Sequence, residues 1–175
     1  MVLNVADLLN EGGHFSDIFR STDRSSLYKL FVGPRYQSKA YEPEDVERRR
    51  NTFRSECAAY GIALQNANLS PHVPQCFAAV AVKDVLNTDG DSVGDQYLLD
   101  CCYSMEFIEG PAPIKIGACQ SEYEHLEQAV EAFKAAGILY MLDCCVFFSE
   151  QQSGFKFIDF ATHDFPPADH KLPWL

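Results

Sequence analysis

Three charged side chains stand where the apolar pattern of the chain predicts burial. Lys29 lies in the middle of LYKLFV, Glu56 lies three residues after Phe53 and four before Tyr60, and Asp159 lies inside FKFIDF. Burying an isolated charge is costly, so each of the three must find a partner or neutralise. A lysine from a strand and a glutamate from the following helix can satisfy each other, and an aspartate at the end of a later hairpin can hold a metal ion beside them. Taken singly, each also has an ordinary explanation. Lys29 fits an outward position on an edge strand, Glu56 a tilt to the helix flank, and Asp159 a turn cap. Their joint occurrence in this order is what points to a site.

The elements that must position them are legible in the spacing. His14 to Phe19 alternates partly, Thr22 to Ser26 reads as a turn, and Leu27 to Val32 forms the next strand, closed by Gly33-Pro34. That is a hairpin. Pro43 to Leu64 reads as the main helix: proline suits a first turn, Glu44 and Asp45 favour the positive end of the dipole, and Val46, Phe53, Cys57, Tyr60 and Leu64 share a stripe. Cys76 to Leu86 is strand-like, Asn87 to Asp95 is a polar connector, and Tyr97 to Ile108 is a long apolar strand. Glu109-Gly110-Pro111-Ala112-Pro113 marks a boundary, giving a first lobe over 1–108 and a second over 109–175. Ser121 and Glu124 form a capping box for a second helix with Leu126, Val130 and Phe133 inward, and Gly137 sits where a C-terminal glycine cap belongs. Val146 to Phe148 and Phe155 to Phe160 make a second hairpin.

The 175 residues suffice for one domain or two small lobes, and 47% of them are hydrophobic, enough for a core. The net charge of -11 argues against nucleic acid or an anionic membrane as partner and suits a basic protein surface. The start of the chain lacks the basic and apolar regions of a signal peptide, and no apolar run approaches a membrane span, so a cytoplasmic protein is expected. Seven cysteines, an odd number, mostly inside apolar runs, read as small buried hydrophobes in a reducing compartment. The vicinal pairs Cys101-Cys102 and Cys144-Cys145 lack the spacer of a zinc site. Asp89, Asp91, Gly94 and Asp100 faintly outline a calcium loop, but Val93 stands where an oxygen ligand belongs, and a plain loop is expected. Arg48, Arg49 and Arg50 read as a solvated helix face in preference to a binding patch.

The order of a glycine-bearing hairpin, strand lysine, helix glutamate, strand ending in a linker, helix, and hairpin with Asp-Phe resembles the protein-kinase and aminoglycoside-phosphotransferase superfamily. GGHFSDIF, with Gly12 and Gly13, looks like a reduced glycine-rich loop. LYKL looks like the strand of the phosphate-binding lysine, and FRSECAAY like the helix carrying its glutamate partner. YSMEFIEG resembles the hinge, where backbone groups of Glu106, Phe107 and Ile108 meet an adenine edge. KFIDFA resembles the Asp-Phe-Gly metal motif with Ala161 in place of glycine. The resemblance implies an α+β fold with an antiparallel-sheet amino-terminal lobe packed on one long helix, plus a reduced carboxy-terminal lobe. It implies ATP and Mg2+ as ligands, with Lys29 on phosphate, Glu56 holding Lys29, and Asp159 on the metal.

The catalytic loop departs from the family. GILYMLDCCVFF places Tyr140 near the expected catalytic aspartate and Cys145 near the expected asparagine. A tyrosine is protonated near neutral pH, and a thiol is a soft ligand ill-suited to magnesium. Asp143 is the remaining candidate for a base. The sequence closes at Leu175, soon after the Asp-Phe pair, so the segment that docks a protein substrate is expected to be missing. These features point to a pseudokinase-like protein that acts by binding a protein partner and holds a nucleotide. The alternatives are an active, atypical phosphotransferase using Asp143, and an acidic inhibitor or immunity-type protein without a nucleotide pocket.

Overall fold

A computed structural model of the chain describes residues 1–10, 15–38, 41–108, 114–115, 124–138, 144–149 and 154–160. The fold is mixed α+β, and it divides into two compact units. One holds Met1–Phe53 and Cys76–Phe107. The other holds Arg54–Gln75 and the described residues from Ile108 onward.

The first unit is built on an antiparallel sheet of five strands. In chain order they are β2 (Leu8–Asn10), β3 (Ser16–Arg20), β4 (Ser26–Val32), β5 (Cys76–Ala79) and β7 (Tyr97–Glu106). Across the sheet the order is β2-β3-β4-β7-β5, so β4 is paired on both sides. β1 (Val2–Asn4) runs parallel to β6 (Asp84–Leu86) as a separate two-stranded pair. The predicted strand over Cys76 to Leu86 is thus two short strands with different partners. Val80 and Val82 still donate to Cys102 and Leu99, so the link between them runs along β7.

Alternation assigns the two faces of β4. Leu30 and Val32 join Phe19, Tyr36, Tyr97 and Cys102 in one buried cluster. Lys29 and Phe31 point to the opposite face, where Phe31 meets Phe53 edge-on at 5.6 Å and Tyr103, the cross-strand neighbour of Lys29, stacks on Phe53 at 6.3 Å. Phe53 belongs to α1 (Pro43–Gln65), which opens as the sequence predicts, with Pro43 first and Glu44 and Asp45 in the first turn. Farther along, every residue from Ser55 to Gly61 is buried, so α1 is enclosed all round there, where a single apolar stripe was predicted. Small side chains at Ala58, Ala59 and Ala63 make that enclosure possible.

The link from β4 into α1 is fastened by polar groups. Gly33 donates to Gln96 O at 2.6 Å, the Gln96 side chain accepts from Gln37 N at 3.0 Å, and Tyr41 donates to Pro34 O at 3.0 Å. A Cβ on Gly33 would stand 2.9 Å from the carbonyl carbon and oxygen of Tyr97, so the close approach needs glycine.

In the second unit, α2 (Glu124–Ala135) buries Leu126, Val130 and Phe133. It ends at Gly137, φ 94°, with Gly137 N–H donating to Lys134 O and Ile138 N–H to Phe133 O. Ser121 of the predicted capping box lies outside the described residues. β9 (Cys145–Ser149) and β10 (Gly154–Ile158) form the predicted hairpin, with the two-residue β8 (Ile114–Lys115) against β9. Phe133 packs on Phe157 at 4.8 Å and on Phe160 at 5.7 Å, joining helix and hairpin in one core. Among the described residues, no helix is long and apolar enough to cross a membrane.

Candidate functional site

Lys29 sits at the centre of the five-stranded sheet, flanked by Ile18 on β3 and Tyr103 on β7. It is 7% exposed, so the outward, edge-strand alternative does not hold. Its Nζ lies 5.7 Å from the centroid of the Phe31 ring, and its side chain shares the face that packs on Phe53. The aliphatic stem explains how a lysine is accommodated there, because four methylenes pack as an apolar residue does.

Glu56 follows Phe53 by three residues on α1 and is 0% exposed. One turn further on, Tyr60 meets the Phe160 ring edge-on at 5.0 Å. Asp159 immediately precedes Phe160, so Glu56 and Asp159 each lie within four residues along the chain of one partner in this contact. Asp159 has φ 65°, a left-handed conformation that an L residue other than Asn or Asp adopts at a cost. It is half-buried, just beyond the end of β10. Residues held in such conformations cluster at ligand sites because the surrounding packing over-determines them. Here Phe157 and Phe160, both fully buried, anchor the chain on either side of Asp159.

Cys145 pairs in register with Ile158, one residue before Asp159. The donor set at this end of the hairpin is therefore one hard carboxylate and one soft thiol. Of the two, only the carboxylate is a donor suited to magnesium. Among the described residues no group of three or more His, Cys, Asp or Glu gathers as a metal cage. In the predicted calcium loop, Asn87 Oδ1 accepts from Asp89 N and Asp91 N, and Asp84 Oδ1 accepts from Ser92 Oγ, which is the bonding of a turn.

At the predicted hinge, Glu106 closes β7 opposite Ser26, and Phe107 N–H donates to Ser25 O at 3.3 Å. The Phe107 ring carries the Arg20 guanidinium 4.0 Å above its centroid. Ile108 follows, half-buried. Gly12, Gly13, Tyr140 and Asp143 lie outside the described residues.

The structure adds a buried carboxylate that the sequence reading passed over. Asp17 on β3 is 0% exposed and accepts from Tyr36 Oη on Oδ1 and from Tyr97 Oη on Oδ2, each at 2.9 Å. The signal was available: period-two alternation puts Asp17 on the same face as Phe19. Comparison of the chain with protein-family models, curated proteins and solved structures finds no match.

Proposed function

We propose that this chain is a pseudokinase-like protein that acts by binding, holding a nucleotide and working through a protein partner. The observation that carries the reading is the burial of two charged residues, Lys29 at 7% and Glu56 at 0% exposure, each on the element to which the resemblance assigns it. The element order supports it as well: a strand with lysine, a helix with glutamate, a long strand ending at residues 106–108, a second helix, and a hairpin closing on Asp-Phe. The resemblance assigns Lys29 to phosphate oxygens and Asp159 to magnesium, which supplies further charge neutralisation when bound. Because Phe107 N–H is already donated to Ser25 O, an adenine edge would be met by backbone groups of Glu106 and Ile108.

Binding is favoured over phosphoryl transfer by Tyr140 and Cys145, which cannot serve as base and as second-metal ligand. The charge of -11 suits a basic protein surface as the partner. A thermal-shift titration of the full chain with ATP and magnesium tests the reading. A raised midpoint that is lost in Lys29→Ala and in Asp159→Ala is expected. No shift at millimolar nucleotide would leave an acidic binding module without a nucleotide pocket. Transfer of labelled phosphate to the chain itself, to mixed proteins or to small alcohols, abolished by Asp143→Ala, would establish the active alternative instead.

A further inference from the structure

The polar connector after β6 carries a pair of residues that the proposed function leaves over. Asp89 is followed by Gly90, and no other aspartate or asparagine of the chain directly precedes a glycine. Both are exposed, and a Cβ on Gly90 would meet nothing within 4 Å beyond its chain neighbours, so the Gly90 nitrogen is uncrowded. The backbone folds back on itself here. Gly90 N–H donates to Asn87 O at 3.1 Å, and Asn87 N–H donates to Asp91 O at 2.9 Å. Asn87 Oδ1 accepts from Asp89 N at 3.0 Å and from Asp91 N at 2.8 Å. Asn87 is a partner in every one of these bonds.

An aspartate carboxyl and the amide nitrogen of the next residue can close a five-membered ring. Attack by that nitrogen forms a C–N bond and expels the carboxyl hydroxyl, which leaves with the amide proton as water. Water then opens the cyclic imide at either carbonyl. One opening restores aspartate; the other routes the main chain through the side-chain carbon as isoaspartate, with one added backbone methylene and no net change in mass. A side chain on the following residue hinders the attack, and glycine has none. The closed turn opposes it, because Gly90 N–H is already donated and Asp89 N–H is pinned. The ring therefore forms from conformers in which the turn has opened, and an exposed loop with few buried contacts opens readily.

We infer that Asp89 is a site of spontaneous conversion to isoaspartate, and that Asn87 sets its rate by holding the turn shut. When the turn recloses faster than the ring forms, the observed rate is the open fraction multiplied by the rate of the free segment. Loss of the two bonds to Asn87 Oδ1 should raise the open fraction on the order of tenfold. The product alters a joint of the fold, since the added methylene falls between Asn87 and Asp91, next to the Leu86–Ser92 bridge and the Val93 N–H bond to Val85 O. The chemistry requires neither a nucleotide nor a partner.

The test incubates the full chain at neutral pH and reads the tryptic peptide that follows Lys83 by electron-capture fragmentation, which locates the added methylene. Isoaspartate should accumulate at Asp89 and not at Asp84, Asp91, Asp95 or Asp100. Asn87→Ala should speed it on the order of tenfold, and Asp89→Glu, whose longer side chain closes a larger ring slowly, should stop it. A folded parent that never shows isoaspartate at Asp89, while the same chain in urea converts, would overturn the site. Equal rates in the parent and in Asn87→Ala would overturn the role of Asn87. Should Asn87→Ala fail to fold, the parent in urea supplies the open reference: a folded rate well below it is expected, and a folded rate equal to it refutes the guarded turn.

Discussion

Replacing Tyr97 or Tyr36 by phenylalanine removes one hydroxyl from the buried Asp17 carboxylate, and at Tyr36 it also removes the acceptor of a long 3.4 Å bond from Gln37 Nε2. The rings themselves stay packed: Tyr36 and Tyr97 meet edge-on at 5.7 Å, and Tyr97 meets Phe19 at 6.0 Å. The loss therefore reads the hydrogen bond and not the aromatic contact. Each bond is 2.9 Å long, and Asp17, Tyr36 and Tyr97 are all buried, so water cannot replace the donor cheaply. A hydrogen bond to a charged group contributes about 1.5–3 kcal/mol, and losing a buried partner falls toward the upper end. For a chain of this size, about 1 kcal/mol moves the thermal midpoint by roughly 2–4 °C, so each single variant should melt some 3–12 °C lower. The two phenols share one carboxylate, so the double variant should depart from additivity by about 0.5–3 kcal/mol. Urea unfolding followed by circular dichroism measures all four corners of the cycle, with m expected to stay constant. Single variants within about 0.5 kcal/mol of the parent would refute the reasoning, because that is the range of an ordinary surface substitution.

Three further outcomes follow from local geometry. Asp23 accepts from Ser21 Oγ, Ser25 N and Ser25 Oγ in the β3–β4 turn, and the Ser21 hydroxyl foremost lowers its carboxyl from 3.8 to about 2. Its folded value lies below the unfolded one, so its stabilisation is present above about pH 4 and is lost as pH falls toward 2; Asp23→Asn should flatten the stability profile over that acid window and leave it unchanged near neutrality. Burial pushes the Cys102 thiol up to about 12, so iodoacetamide at pH 8 should leave Cys102 unlabelled in the folded protein and modify it in urea, as peptide mass mapping would reveal. Gly33→Ala should destabilise by about 1–3 kcal/mol in urea unfolding, since the atoms it would strike are the Tyr97 backbone and cannot rotate away; a neutral result would mean that the link into α1 shifts freely.

Much of the architecture was legible because it follows from local rules. The β3–β4 hairpin, α1, α2 and the β9–β10 hairpin fall where alternation, capping residues and glycine punctuation put them, and Gly137 takes the positive φ expected of it. Pairing is a different matter. That Asp84–Leu86 leaves the β5 line and runs beside Val2–Asn4 depends on a partner eighty residues away, which no window of sequence carries. Burial of polar groups is legible only in part. Lys29, Glu56 and Asp159 were flagged because each interrupts an apolar run, whereas Asp17 lies in a strand of mixed polarity where an outward aspartate looks natural. The arginine triplet misled for the opposite reason: three charges in a row suggest solvent, yet consecutive helix positions point 100° apart, so Arg49 can turn inward while Arg48 stays out.

The first unit thus keeps Asp17, Lys29 and Arg49 at 7% exposure or less, and the ways they are held separate structural charge from functional charge. Asp17 receives two phenols from the segments it joins, one just after β4 and one at the start of β7. Its charge serves the fold, by specifying how those segments meet. A buried carboxylate so supplied rigidifies and specifies the way those segments meet. Arg49 receives a ring face, and its Nε and Nη1 have no hydrogen-bond acceptor among the described residues. Apolar side chains of similar volume generally match or exceed a buried ion in stability, so a fold has no reason to keep an arginine there for its own sake. A charge that the fold completes argues for architecture. By that criterion the Asp17 network belongs to the architecture, although Asp17 is the most deeply buried ion of the three.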